Sequence, residues 1–158
     1  MGLDAYIHCD CHEKGKLPQP PSKQWVYYVE SDGSRQVRVE VAAEDAAASE
    51  WNLHACAHEW GILLHERIGN ISEVGLLRKA ISGAPSRFPI ILSKIIQDGS
   101  HSGDHIPVDQ LPALAVEVER LASFHSAVPL NEEWIRHFEG QLRRLVDTAR
   151  QSGKPIAF

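Results

Sequence analysis

The sequence predicts an α+β fold in which a short N-terminal strand and a β-hairpin precede a bundle of four to five helices. Three observations carry this. Val37, Val39 and Val41 alternate with Arg38 and Glu40, which is the period of a half-buried strand. Ser31-Asp32-Gly33-Ser34 separates that run, Arg35 to Val41, from an aromatic and β-branched one, Gln24 to Glu30. Asp-Gly between two strand-like runs is a strong local hairpin signal. Beyond the hairpin the apolar residues recur at steps of three and four, the period of a helix face. Strands first and helices after is the segregated order of an α+β fold, not of repeated β-α-β units.

In chain order, Leu3 to Ile7 reads as a short strand. The run Gly15 to Ser22 holds Pro18, Pro20 and Pro21; proline feeds neither a sheet ladder nor a helix interior, so this is a loop. After the hairpin, residues 46–67 favour helix, with Trp51, Leu53, Trp60, Ile62, Leu63 and Leu64 as its apolar mass and Gly61 as a weak point. Asn70-Ile71-Ser72-Glu73 has the form of a capping box. The helix that follows presents Val74, Leu77 and Ile81 on one face and stops near Gly83.

Pro89 to Gln97 is nearly all apolar and reads as a buried helix with proline in its first turn. Ser100 to Pro107 is a polar loop. Asp109 is placed to cap the next helix, which carries Leu111, Leu114, Val118 and Leu121 with Pro112 in its first turn. Asn131 is placed to cap the last helix, whose stripe is Ile135, Phe138, Leu142, Leu145 and Ala149 and which ends at Gly153 and Pro155. The tail Ile156-Ala157-Phe158 adds a short edge strand or tucks into the core.

A chain of 158 residues predicts one domain over 1–158, with strands within 3–41 and helices within 45–152. A net charge of -5 excludes a general nucleic-acid binder, which needs a basic face, and an acidic surface attracts a basic partner. No stretch approaches 18 apolar residues, so no membrane span is expected. The start, Met1-Gly2-Leu3-Asp4, lacks the layout of an export signal. An odd number of cysteines then points to a reducing cytoplasm.

The residues with chemical promise are the three cysteines and their neighbours. Cys9 and Cys11 lie two apart, so a strand presents both thiols on one side. His54 and His58 lie four apart, so a helix stacks both imidazoles on one face. Two thiolates and two imidazoles make a tetrahedral zinc set. Cys-x-Cys is a less usual knuckle than Cys-x-x-Cys. In a regular helix, Cys56 is turned about 200° from both histidines, which leaves it as a substitute ligand; if the helix instead starts after His58, any of the three can ligate. Plain burial competes for the same residues, because free cysteine packs as a small apolar group. His101, Asp104 and His105 form a second candidate cluster, in the polar loop, for a metal or an acid-base pair; a solvated turn is the plainer account of them.

No nucleophile elbow, phosphate loop or dinucleotide fingerprint is present, so no residue is assigned as catalytic. Two readings of function follow. One is a small cytoplasmic protein-binding domain acting through an acidic surface, with Glu40, Glu44, Asp45, Glu50, Glu132 and Glu133 as contact residues. That profile resembles a bacterial toxin-neutralising, immunity-type protein facing a basic toxin domain, though no motif carries the likeness. The other is a zinc-containing structural domain built on Cys9, Cys11, His54 and His58, or a metal- or thiol-dependent enzyme built on the same ligands plus His101, Asp104 or His105.

Overall fold

Residues 2–99, 104–126 and 131–158 are described by a computed structural model, Asn131 through its backbone only. The first strand, β1 (Gly2–His8), buries alternate residues, with Leu3, Ala5 and Ile7 all inaccessible to solvent. The same alternation continues past the strand end, so that Cys9 and Cys11 are buried too. The hairpin follows as β2 (Val26–Val29) and β3 (Arg35–Arg38), antiparallel and separate from the main sheet. Its turn is held by the left-handed Gly33 (φ 83°) and by the Asp32 carboxylate, which accepts the Ser34 N–H at 2.8 Å. Both strands are shorter than the sequence predicts. Val41 is exposed and Arg35 is the buried residue of β3.

The next segment departs most from expectation. The helix predicted over 46–67 ends early: α1 spans Asp45–His54. After a single 3₁₀ turn the chain becomes β4 (Ile62–Asn70), which pairs antiparallel with β1 from Gly2↔Asn70 to His8↔Ile62. The break is made at Trp60 (φ 52°) and Gly61 (φ 73°), two successive left-handed residues that no helix accommodates. Non-local pairing with β1 overrides the local helix preference of residues 62–67.

From Asn70 onward the helices fall where the pattern puts them. The Asn70 side chain accepts the N–H groups of Ser72 and Glu73, and the Glu73 carboxylate accepts the Asn70 N–H, closing the capping box of α2 (Ile71–Ile81). Val74, Leu77 and Ile81 are buried. The apolar segment after Pro89 is helical, with a π-turn over Ile91–Ile95. A strand, β5 (His105–Ile106), interrupts the predicted loop. α3 (Leu111–Ala122) begins after a 3₁₀ turn that contains Asp109. Asp109 is therefore not its cap, and Gln110 at that position makes no side-chain capping bond. α4 (Asn131–Ser152) buries its predicted stripe; the predicted capping side chain of Asn131 lies outside the described residues.

The tail forms β6 (Ile156–Ala157), which is no edge strand. The main sheet has the order β4-β1-β6-β5, so β6 lies between β1 and β5. Ile156 is fully buried and Phe158 nearly so. One face of this antiparallel sheet meets α2, α3 and α4 across a continuous apolar core. The hairpin and α1 form a thinner second layer, in which Trp25, Trp51 and Tyr27 pack edge to face with ring centres 5.5–6.1 Å apart. Apart from cysteine, the buried apolar residues there are Trp25, Ala48 and Ala55. None of them belongs to the main core cluster.

Candidate metal centre

The end of β1 and the link between α1 and β4 are tied by the Cys9 N–H, which donates to the Gly61 carbonyl at 2.7 Å. That contact brings the two cysteine-bearing segments together. Cys9 and Cys11 approach from one side. Cys56 and His58 approach from the irregular stretch after α1, where no helical rotation separates them. One ligand atom from each of these four residues lies within 4.8 Å of all the others. Cys9 Sγ is 3.8 Å from Cys56 Sγ, Cys11 Sγ is 3.4 Å from His58 Nδ1, and Cys56 Sγ is 3.9 Å from the same nitrogen.

These three of the six separations have the lengths of edges of a coordination tetrahedron. Metal–sulfur bonds of about 2.3 Å and metal–nitrogen bonds of about 2.05 Å set tetrahedral edges of about 3.8 Å between sulfurs and about 3.5 Å from sulfur to nitrogen. The group could therefore hold a metal ion.

Of the four residues first singled out as a ligand set, Cys9, Cys11 and His58 lie in this group. His54 lies outside the group: it closes α1, its side chain is 66 % exposed, and it faces Glu50 at 3.4 Å. Cys56 takes its place. The objection to Cys56 assumed a helix through residue 58, and α1 stops four residues short of that point. The second candidate cluster does not join the site. Asp104 accepts a hydrogen bond from Gln97 Nε2 at 3.2 Å, His105 sits in β5 opposite Ala157, and His101 lies outside the described residues.

Arg35 completes the surroundings, and nothing in its local sequence marks it. It is 8 % exposed. Its Nη1 donates to Cys56 Sγ at 3.1 Å, its Nε donates to Asn52 Oδ1 at 2.8 Å, and its Nη2 donates to the Asn52 carbonyl. Gly61 packs against it: a Cβ there would lie 3.4 Å from the guanidinium carbon, an ordinary contact. The thiols are unequal. Burial pushes Cys9 up to about 12. At Cys56 burial acts the same way, but hydrogen bonding from the His58 backbone, Arg35 and the His58 ring outweighs it and brings the thiol down to about 7.

The acids expected to meet a partner are distributed differently from one another. Glu40, Asp45, Glu50 and Glu133 are exposed. Glu44 accepts the Trp25 indole N–H at 2.6 Å, and Glu132 accepts the Ser126 N–H at 2.6 Å with Arg136 nearby, so both are engaged inside the molecule. Among the described residues, no helix is long and apolar enough to cross a membrane. Comparison of the chain with protein-family models, curated proteins and solved structures returned no match.

Proposed function

We propose that Cys9, Cys11, Cys56 and His58 hold one zinc ion in a structural role, and that the protein works by binding another protein. The observation that carries the metal reading is the convergence of four ligand atoms within 4.8 Å of one another, three of the six separations being of tetrahedral length. Three sulfurs and one imidazole favour zinc over the harder divalent ions. Four protein ligands fill a tetrahedron and leave no open position for substrate, which is the mark of a structural site. The need for such a tie is visible in the fold, because a two-stranded hairpin is at best marginally stable alone. Here it is backed by few buried side chains.

Zinc content of protein purified without added metal tests this reading. One equivalent is expected, and Cys56→Ser and His58→Ala are expected to lose most of it. Less than about a tenth of an equivalent in the wild type rejects the reading, because structural zinc sites bind tightly. Uptake strengthens as pH rises, since the metal displaces thiol protons.

The partner reading rests on the surface beside the site. A groove of about 360 Å³ runs between β3 and α1, lined by Gln36, Val37, Val39, Asp45, Ala48 and Trp60 among others. Trp60 is 42 % exposed, and Glu40 and Glu50 are exposed nearby in sequence. This combination suits a basic segment of a protein, such as a cationic toxin domain, since acidic rims raise association rates with basic partners. The double variant Glu40→Lys/Glu50→Lys tests it against a cationic toxin domain. Association slower by roughly tenfold or more at low salt is expected, with the difference shrinking at high salt. Equal rates at both salt concentrations reject the acidic-surface reading.

A further inference from the structure

We propose that Arg35 is the built-in counter-ion of the metal centre, a positioning residue that holds Cys56 Sγ and balances the charge of a thiolate-rich site loaded with a divalent ion. The proposal rests on the zinc reading and extends it to a residue of the hairpin.

The first ground is the charge of the loaded site. Three thiolates and a neutral imidazole around a divalent ion leave one net negative charge. An uncompensated charge at a partly buried site is costly. The second ground is the reverse problem at Arg35. Its guanidinium is buried, yet the groups it bonds are an amide oxygen, a carbonyl oxygen and a cysteine sulfur. Among the described residues no carboxylate lies within ion-pair distance of it. Arginine remains charged in proteins, and a buried charge requires a partner of opposite sign. The thiolate cluster is the available one. Each half of the arrangement lacks a counter-charge that the other supplies.

The geometry fits this role. Asn52 fixes the guanidinium through Nε and Nη2, which aims Nη1 at Cys56 at 3.1 Å. Asn52 lies in α1, Arg35 in β3, and Cys56 just after α1. The fork thus links both elements of the thin layer to the metal ligand. Groups that hydrogen-bond metal ligands tune metal affinity, and their loss lowers it roughly 10–100-fold.

Co²⁺ titrated into the full chain against a competing chelator tests the proposal, with the sulfur-to-cobalt charge-transfer band as the second readout. Wild type is expected to take up one equivalent in tetrahedral form. Arg35→Gln is expected to keep the tetrahedral spectrum, bind roughly 10–100-fold more weakly, and shift the charge-transfer band to longer wavelength, because the sulfur loses a cationic donor. Arg35→Lys is expected to recover part of both effects. A purely structural role for Arg35 lowers stability but leaves the band in place.

Wild-type affinity and an unshifted band in a folded Arg35→Gln overturn the proposal. If that variant does not fold, Asn52→Asp decides. It is nearly isosteric and places a carboxylate against Nε, which cancels the guanidinium charge. A loss of tenfold or more with a red-shifted band is expected there, and unchanged affinity overturns the proposal. Failure of the wild type to take up cobalt or zinc removes the metal reading itself, which is a different result.

Discussion

Glu117 is 3 % exposed in α3 and governs how the apolar segment after Phe88 begins. Its two carboxylate oxygens accept the N–H groups of Ile90 and Ile91, each at 2.9 Å. The first N–H groups of a helix have no internal partner, and the buried acid supplies one from a neighbouring helix. Glu117→Ala leaves both donors orphaned and is expected to cost about 1–3 kcal/mol in urea unfolding. Burial raises the carboxyl above its ordinary value of 4.5, against the pull of the two N–H groups and Arg120. The folded protein therefore binds more protons at this group than the unfolded chain does. Its contribution to stability is fully present below the ordinary value and declines as pH rises through the folded one. Glu117→Gln removes that decline, so the stability difference between wild type and this variant is expected to move in the variant's favour as pH rises above 4.5. A difference that is flat with pH contradicts the assignment.

Among elements, the junctions on either side of β4 decide the fold. At its end, Asn70 closes a capping box whose three bonds measure 2.7–3.0 Å. Asn70→Ala is expected to cost about 1 kcal/mol, read as a lower urea midpoint with an unchanged slope. At its start, Gly61 holds φ 73° directly against Arg35. Gly61→Ala is expected to cost about 1–2 kcal/mol from backbone strain. The added Cβ would meet the guanidinium carbon at 3.4 Å, an ordinary contact, so metal content is expected to hold. Unchanged stability would show that the left-handed turn carries no strain here. The capping box was legible because its two residues lie three apart in one stretch of chain. The turn at Trp60 and Gly61 was not, because Gly61 alone reads as a weak helix position and nothing local forces a left-handed tryptophan.

For the whole molecule, two layers of unequal strength share one strand end. The main sheet and α2, α3 and α4 enclose a continuous apolar core. The hairpin and α1 rest on a few aromatic contacts, the Arg35 fork and the four-ligand cluster. Chelation of the proposed zinc is therefore expected to raise amide exchange in β2, β3 and α1 while α2–α4 stay protected. Uniform loss of protection would mean that the metal supports the entire fold, and no loss anywhere would mean that it supports neither layer.

The division between what sequence and structure each decide follows the range of the interactions. Sequence alone determined the α+β class, the hairpin, the capping box and the apolar stripes of the helices, because each is written in neighbours up to four residues apart. It also singled out Cys9, Cys11 and His58. Tertiary contact decided that residues 62–70 form a strand, since that state exists only in register with β1, and so decided that α1 ends before Cys56. With the helix gone, Cys56 and not His54 joins Cys9, Cys11 and His58. Arg35 entered for the same reason: it reaches the site from the hairpin, and only the packing of distant segments gives a buried guanidinium a cluster of sulfurs to face.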